Sequence, residues 1–325
     1  MDLQFFTLDV FTSTRLEGNP LAVVRVPWAV CNTLSEETKQ KIAKEFNLSE
    51  TVFLHEGEGD GDEGRDVRER HIDIFTTDSE IPFAGHPTIG TAVLVRDHLG
   101  HAAVDTLVAR AGPIRLQQQQ PVVVGAAGEG PARVVRASIP HDVHLHAKTL
   151  ADALGGPEDP GLSPHPVARE AERRAPVFSI VNGMTFLLAK LPSLEALAHV
   201  GRTPLDLARL RDDLLDEGWR SGFVGKYYYV DLGSGDGERR LRTRMVELNL
   251  EDPATGSAAS ALASYLTLTE EKKGTRFEIT QGVEMGRKSV ISVETTTRAS
   301  DGQLEEVWLG GTAVVVMSGS LRVDV

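Results

Sequence analysis

The chain has 325 residues, a hydrophobic fraction of 41% and a charged fraction of 25%, which is the composition of an ordinary soluble globular protein. A chain of this length predicts about two domains, because one hydrophobic core rarely grows so large. The net charge of −13, from 47 acidic and 34 basic residues, argues against general nucleic-acid binding, since such a surface repels phosphate.

The first half of the sequence combines strand patterns with two helix patterns. One helix is predicted over residues 35–46 with Ser35 as its N-cap, and a second over residues 87–96, where apolar residues fill nearly every position. A helix of the second kind is usually buried inside a domain. Strands are predicted at residues 3–11, 21–26, 51–54 and 71–76, followed by mixed strand and loop at 113–140.

The second half repeats this order of features. Residues 204–217 are predicted as an amphipathic helix capped by Thr203, and residues 258–266 as another helix that is apolar almost all round. The stretches 56–69 and 155–176 are rich in charge and in glycine or proline, and they predict surface loops. Strands are predicted within residues 177–189 and at 222–231, 239–246, 276–280, 288–294 and 306–316.

Each half carries an early turn of asparagine and glycine, at Gly18–Asn19 and at Asn182–Gly183, and a later glycine-containing turn that enters a buried helix. This shared order predicts a duplicated fold with two similar domains. Two such domains that face each other would place the two helix-entry turns on opposite walls of one cleft, which is a common ligand site.

The residues that are scarce exclude several mechanisms. The single cysteine, Cys31, cannot form a disulfide within the chain and excludes a reaction that needs two thiols of one chain. There is no His or Cys cluster with zinc spacing and no Gly-x-Gly-x-x-Gly after a strand, so we expect no metal and no cofactor. The N-terminus lacks a signal peptide and no apolar run spans a bilayer, so we expect a cytoplasmic protein without a membrane partner.

The two helix-entry turns carry the first candidate site residues. Gly85 and His86 enter the first buried helix, and Gly256 and Ser257 enter the second. The backbone N–H groups and the dipole at such a point favour an anion. Either turn alone is explained by ordinary capping, whereas the pair in matching positions favours a site for a carboxylate or an enolate. His86 and Asp252, which precedes the second turn, are candidates for a further acid/base or orienting pair.

Glu50 is the candidate acid/base group. It lies between a predicted helix and a predicted strand, and the apolar residues Leu48 and Val52 flank it. Burial would raise the pKa of its carboxyl and make it useful as both acid and base near neutral pH. A solvated or capping glutamate is the commoner explanation of such a residue, so the local sequence leaves both interpretations open.

The ensemble of these motifs resembles the PhzF family of phenazine-biosynthesis enzymes. The resemblance covers nearly the whole chain, and the order and spacing of its pieces are much more specific than any piece alone. The matching pieces are Asp9–Thr12, Gly18–Val24, Ser49–Thr51, Gly85–Thr88, Arg244–Met245, Glu251–Ala259, Gln281–Gly282, Met285–Arg287 and Gly310–Gly311.

The resemblance implies the α+β fold of diaminopimelate epimerase. In that fold two pseudo-symmetric domains each wrap a barrel-like sheet around a central buried helix, which agrees with the two apolar helices found here. We place the first domain at residues 1–112 together with a C-terminal strand at about 314–325, and the second at residues 113–313.

The resemblance also implies roles for the candidate residues in the cleft between the domains. Glu50 would move a proton on the substrate, with His86 and Asp252 as further catalytic groups. The substrate would be a small carboxylate-bearing molecule, and the protein would be a homodimer that works without a cofactor. The substrate-binding residues would be Asn19, Gly85, Gly256 and Ser257.

The resemblance to diaminopimelate epimerase implies two catalytic thiols, one on each side of the substrate, but the corresponding turns of this chain contain no cysteine. The expected function is therefore a cofactor-independent isomerase whose acid/base group is a glutamate. One alternative is a catalytically silent metabolite-binding or interaction protein of the same fold. Another is an amino-acid epimerase that uses carboxylates in place of thiols.

Overall fold

The chain folds into two compact units. Unit 1 contains Met1–Ser138 and Gly310–Val325, and unit 2 contains Ile139–Leu309. Residues 58–66 of the first predicted loop and 155–160 of the second lie outside the described residues. The computed structural model describes residues 1–57, 67–118, 134–154, 161–235, 237–248 and 250–324.

Unit 1 is a barrel-like sheet in which parallel and antiparallel neighbours are mixed. Its strands pair in the order β18–β1–β2–β3–β4–β6–β7–β8, and only the β2–β3 and β4–β6 pairs are parallel among these described neighbours. The strands are β1 (Asp2–Val10), β2 (Asn19–Val26), β3 (Thr51–His55), β4 (Glu69–Phe75), β5 (Glu80–Ile81), β6 (Thr106–Ala109), β7 (Gly112–Gln118), β8 (Val135–Ser138) and the C-terminal β18 (Ala313–Arg322).

Unit 2 repeats this plan. Its described strands pair in the order β9–β10–β11–β12–β13–β15–β16, with β11–β12 and β13–β15 parallel and the other neighbours antiparallel. The strands are β9 (His144–Leu145), β10 (Val177–Val181), β11 (Met184–Lys190), β12 (Phe223–Gly235), β13 (Glu238–Val246), β14 (Glu251–Asp252), β15 (Arg276–Gln281), β16 (Ser289–Thr297) and β17 (Leu304–Gly311), which ends across the unit boundary.

The same succession of pairings in both units confirms the expected duplication. The short strands β5 and β14 pair with β4 and β13 respectively, and each leads into a helix that lies in the core of its unit. Both of these helices, α2 and α7, continue into a π-helical turn, at Leu94–His98 and Thr267–Glu271. The helices are α1 (Glu36–Phe46), α2 (Gly85–Val93), α3 (Leu150–Leu154), α4 (Pro166–Arg174), α5 (Leu194–Ala198), α6 (Arg211–Leu214) and α7 (Gly256–Leu266).

The central helices are buried as their sequences predict. Every residue of α2 is buried, and in α7 only Ser257 and Tyr265 are not. A helix without a polar face can only be stable inside a core, which the surrounding sheet provides here. No helix in the described ranges is both long and apolar enough to cross a membrane.

The predicted start of α1 is confirmed. Ser35 is its N-cap, and the Ser35 hydroxyl accepts a hydrogen bond from the backbone N–H of Thr38 at 3.2 Å. The helix ends at Asn47, which adopts the left-handed conformation with φ 51°. Asparagine tolerates this conformation better than most residues, so the chain can turn here toward β3.

The long helix predicted at 204–217 is wrong. The structure has a 3-10 turn at Leu207–Leu210, capped by Asp206, followed by the short α6. Thr203 does not cap a helix, because its buried hydroxyl accepts a hydrogen bond from Lys226 Nζ at 2.5 Å. A tertiary contact has therefore replaced the local capping signal.

The predicted loop at 155–176 is also wrong in part, because α4 lies within it. Its charged composition concealed the helix, since only Ala168 and Glu172 are buried. These residues are four apart and face the same side. The buried Glu172 carboxylate accepts hydrogen bonds from the Tyr228 hydroxyl and from the backbone N–H of Ser163.

The boundary between the two units lies further along the chain than the sequence suggested, after Ser138 and not after residue 112. The proposed division between residues 1–112 and 113–313 would separate Gly112 from the rest of β7. That strand pairs with β6 of unit 1, where Val108 lies opposite Pro113. Strand pairing thus keeps the chain in unit 1 up to Ser138, and the chain returns to unit 1 at Gly310.

The close approach of α2 to the sheet of unit 1 gives a test of this packing. Alanine in place of glycine inside a helix normally stabilises it by about 1 kcal/mol. A Cβ at Gly90, however, would lie 2.6 Å from Leu21 Cδ2 and 2.7 Å from Val10 Cγ2, and both side chains are fully buried. We expect Gly90→Ala to destabilise the protein by about 1–3 kcal/mol in denaturant unfolding. Adding Leu21→Ala should make the same glycine substitution less harmful, and a gain in stability from Gly90→Ala alone would contradict this packing.

Candidate active site

Glu50 lies at the point where the chain enters the sheet of unit 1. It follows the left-handed end of α1 and directly precedes β3, which runs parallel to β2 with Thr51 opposite Ala22. Thr51 is fully buried. The fold therefore carries Glu50 to the edge of the core.

The carboxylate of Glu50 is largely withdrawn from water. The side chain is 18% exposed, and its Oε2 atom is buried with no hydrogen-bond partner in the described part of the chain. Burial raises the pKa of Glu50, and a hydrogen bond with the Ser49 side chain offsets only part of this rise. The group is thus easier to protonate than an ordinary glutamate.

His86 faces this carboxylate. It is the second residue of α2, and its Nε2 atom lies 3.7 Å from Oε2 of Glu50. That distance is too long for a direct hydrogen bond, although one polar atom could bridge the two groups. The helix begins after Ala84, whose side chain offers no cap, and Gly85 is its first residue. Glu50, Gly85 and His86 are called the unit 1 group below.

Asn19 is placed in the same unit, at the beginning of β2. It is buried and lies opposite Val10 in the β1–β2 ladder. The preceding Gly18 has φ 67°, and a Cβ there would lie 2.4 Å from the Val10 carbonyl oxygen. This tight turn explains why glycine precedes Asn19 in the sequence.

The corresponding residues of unit 2, called the unit 2 group below, are Asp252, Thr255, Gly256 and Ser257 around the start of α7. The Thr255 hydroxyl donates to Oδ2 of Asp252 at 2.5 Å. Oδ1 of the same carboxylate accepts a long hydrogen bond from the backbone N–H of Ala254, at 3.5 Å. Gly256 is the first helical residue, and Ser257 is partly exposed. These contacts fix the Asp252 carboxylate beside the first turn of the helix.

Sequence reasoning missed the residues that hold this turn. Gln281, at the end of β15, donates from Nε2 to the Asp252 carbonyl oxygen at 2.7 Å and accepts at Oε1 from the Tyr227 hydroxyl at 2.9 Å. Tyr227 also contacts the Thr243 hydroxyl at 3.0 Å. In the sequence the Gln281–Gly282 pair is visible only as part of the resemblance, because a contact between β15 and the β14 turn has no local signal.

The structure thus brings Glu50 and His86 together in unit 1, and Asp252, Gly256 and Ser257 together in unit 2. Chemically, the unit 1 group offers a carboxyl group that can both take and give a proton. The unit 2 group offers a fixed carboxylate and the first turn of a helix, where backbone N–H groups favour an anion.

One group of side chains has the composition of a metal site. Ligand atoms of His144, His146 and Asp216 all lie within 4.8 Å of one another. His146 is already hydrogen-bonded at both ring nitrogens, to the backbone N–H of Asp216 at 3.1 Å and to the Ser179 hydroxyl at 2.9 Å. Asp216 Oδ2 accepts from His144 Nε2 at 2.8 Å. Burial lowers the pKa of His146 to about 4. Hydrogen bonding therefore accounts for this group without an ion.

Comparison with known sequences identifies the family. The family profile described as "Phenazine biosynthesis-like protein" matches residues 8–319. An uncharacterized isomerase of Mesorhizobium japonicum is 35% identical over 98% of both chains. The trans-2,3-dihydro-3-hydroxyanthranilate isomerase of Pseudomonas chlororaphis is 31% identical, again over 98% of both chains.

Solved structures agree with this assignment. A PhzF-family protein of Bacillus anthracis has a TM-score of 0.71 at 18% identity over 99% of this chain and 100% of its own, which shows the shared fold. A predicted epimerase of Pseudomonas aeruginosa has a TM-score of 0.69 at 26% identity with the same coverage. The fold is the α+β fold of diaminopimelate epimerase that the resemblance implied. The chain belongs to the PhzF family of phenazine biosynthesis-like isomerases.

Proposed function

We propose that this isomerase moves a proton between two positions of a small carboxylate-bearing molecule, without a cofactor, and that Glu50 carries the proton. The observation that supports this most directly is the buried Oε2 of Glu50, which has no hydrogen-bond partner among the described residues and lies 3.7 Å from His86. A buried carboxylate oxygen without a hydrogen-bond partner is costly for stability, so a functional reason is favoured over a structural one.

The chemistry requires one group that acts first as a base and then as an acid. The ionised Glu50 removes a proton from an activated carbon, and the electron pair of that C–H bond moves into the adjacent conjugated system. The protonated Glu50 then returns the proton to another carbon, and the product has the same composition as the substrate. The raised pKa of Glu50 suits both steps, because the two protonation states are then closer in free energy near neutral pH.

His86 orients the substrate beside Glu50 in this proposal. A polar substrate atom that lies to one side of the 3.7 Å line between Nε2 of His86 and Oε2 of Glu50 could hydrogen-bond with both, since it can be about 2.8 Å from each. Gly85 contributes the backbone at the start of α2, because glycine has no side chain of its own to limit the approach of a ligand. Asn19 remains a proposed substrate contact in the same unit.

Asp252, Gly256 and Ser257 of the unit 2 group act as substrate-binding groups in this proposal. The start of α7 favours a carboxylate or the negative charge of an enolate, because the dipole and the first-turn N–H groups are directed there. The Asp252 carboxylate accepts hydrogen bonds and would bind an amino or hydroxyl group of the substrate.

Glu50→Gln tests the central role. The substitution keeps the size of the side chain but removes its ability to exchange a proton, so we expect turnover to fall by about 100- to 10,000-fold. The assay is proton exchange in heavy water, read by mass spectrometry, with a panel of cyclic and acyclic amino and hydroxy carboxylates. Trans-2,3-dihydro-3-hydroxyanthranilate belongs in this panel, because a 31% identical relative is named for its isomerisation.

Glu45→Gln is the matched control, since it is the same substitution at an exposed position of α1. An unchanged rate of proton exchange in Glu50→Gln would contradict the proposed role of Glu50. Binding without exchange by the wild type would favour the catalytically silent alternative. Inversion at an α-carbon would favour the epimerase alternative.

The raised pKa of Glu50 also predicts how stability depends on pH. Below the ordinary glutamate pKa of 4.5 the group is protonated in both the folded and the unfolded protein, and it has no effect. As the pH rises above 4.5 the unfolded chain ionises more readily than the folded one, so the wild type loses stability that Glu50→Gln keeps. We therefore expect Glu50→Gln to be more stable than the wild type at pH 8 and to approach it at pH 4.

Denaturant unfolding of both proteins across this pH range measures the difference, with Glu45→Gln as the control. A difference that is independent of pH, or one that favours the wild type at pH 8, would mean that burial does not raise the pKa of Glu50. The proposed homodimer is a separate matter, which light scattering in solution would decide.

A further inference from the structure

A hydrogen-bonded chain of buried side chains leads from the sheet of unit 2 to the Asp252 carboxylate. Gln281 is fully buried at the end of β15, and Tyr227 is fully buried on β12. The Tyr227 hydroxyl contacts Gln281, Gln281 contacts Thr255, and the Thr255 hydroxyl donates to Asp252. None of these contacts follows from the roles proposed above.

Gln281 uses its whole side-chain amide on one short turn. Its Nε2 donates to the Asp252 carbonyl oxygen at 2.7 Å and contacts the Thr255 hydroxyl at 3.1 Å. Its Oε1 accepts from the Thr255 backbone N–H at 3.3 Å and from Tyr227 at 2.9 Å. An amide has two donor hydrogens and two acceptor lone pairs, so every position is used. The backbone partners also fix which end of the amide is the oxygen.

Tyr227 fixes the orientation of the Gln281 amide through a hydrogen bond to its oxygen. An amide oxygen can only accept, so the Tyr227 hydroxyl must donate its one hydrogen to Gln281. The same hydroxyl lies 3.0 Å from the Thr243 hydroxyl, which is a second acceptor within its reach. Burial raises the pKa of Tyr227, so the phenol stays protonated and remains a donor at any physiological pH.

The next residue explains why the turn lies so near. Gly282 has φ 74°, and a Cβ there would lie 2.7 Å from the Pro253 carbonyl oxygen and 2.4 Å from that of Arg287. Only glycine allows β15 to approach the Asp252–Thr255 turn this closely. Gln281 and Gly282 together therefore bind the turn to the sheet.

We propose that Gln281, set by Tyr227, is a positioning residue that holds Asp252 and the start of α7 in the geometry needed to bind substrate. The inference rests on the proposed function, because it assigns Gln281 to the site that Asp252, Gly256 and Ser257 form. Gln281 itself does not touch the substrate. It acts through Thr255, whose hydroxyl and backbone N–H it contacts.

The test compares two adjacent tyrosines. Tyr227→Phe removes only the hydroxyl that sets Gln281, and Tyr228→Phe removes the same group from a neighbouring buried residue, whose partner is Glu172. Gln281→Met keeps the approximate size of the side chain but removes all of its hydrogen bonds. We expect kcat/KM to fall about 100-fold in Gln281→Met and about 10-fold in Tyr227→Phe, and to stay within about twofold in Tyr228→Phe.

A purely structural role is distinguished by two further readouts. Misplacement of a binding group should raise KM, although all of these variants keep Glu50. Backbone hydrogen exchange should also become faster in peptides that cover residues 252–257. Thr255→Ser keeps the hydroxyl and should recover most of the activity that Thr255→Val loses. Equal effects of Tyr227→Phe and Tyr228→Phe on KM would overturn the inference, as would unchanged hydrogen exchange of residues 252–257 in Gln281→Met.

Failure of the proposed function looks different. If the wild type exchanges no proton of any panel compound, the reaction assigned to Glu50 is wrong, and the hydrogen-exchange comparison still decides whether Gln281 and Tyr227 hold the turn. If the wild type and Tyr227→Phe share the same KM and kcat while Glu50→Gln is inactive, the proposed function stands and the positioning role of Gln281 is overturned. Should Gln281→Met fail to fold, Tyr227→Phe decides alone.

Discussion

The constraint on which each unit depends is the complete burial of one helix. Neither α2 nor α7 has a polar face, so a sheet must curve around each of them to remove the apolar surface from water. Small residues make this possible at close range, as at Gly90, where the helix backbone lies against Leu21 and Val10. The start of each helix is then fixed by the packing of the whole unit. The residues at that start inherit a rigid position, which is what a binding site requires.

The same position carries different chemistry in the two units. In unit 1 the start of α2 brings His86 near a glutamate whose Oε2 has no hydrogen-bond partner in the described chain. In unit 2 the corresponding start of α7 lies beside Asp252, whose carboxylate accepts hydrogen bonds from Thr255 and Ala254. The Asp252 carboxylate is thus held by neighbouring groups, whereas one oxygen of Glu50 is buried without a hydrogen-bond partner in the described part of the chain. The two units therefore present different side chains at the start of the corresponding buried helix.

Perturbed pKa values alone would not have identified this site. Burial lowers the pKa of Lys226 and raises that of Glu247 to about 7. Both residues, however, belong to a polar cluster of unit 2 with Thr203, whose members hydrogen-bond with one another. Lys226 Nζ donates to Thr203, and the Lys226 backbone N–H donates to Glu247. Such a cluster is explained by the packing of the segments around it. The distinguishing feature of Glu50 is geometric, because its buried oxygen faces another titratable side chain at a helix start.

The sequence by itself determined the parts of this protein that depend on local pattern. The apolar character of α2 and α7, the Ser35 cap of α1 and most strands follow from residue spacing, since hydrophobic burial and capping act over a few residues. The order of short motifs along the chain was also sufficient to indicate the family and its fold.

Only the tertiary structure decided which local signals prevail. Thr203 contacts Lys226 and so caps no helix, and α4 forms around two buried residues within a charged segment. The unit boundary follows strand pairing, and Gln281 reaches the Asp252 turn from another strand. These outcomes depend on contacts between residues far apart in the chain, and a local sequence pattern carries no information about such contacts. The burial of Glu50 belongs to the same class, because desolvation is set by the surroundings of a side chain and not by its neighbours in sequence.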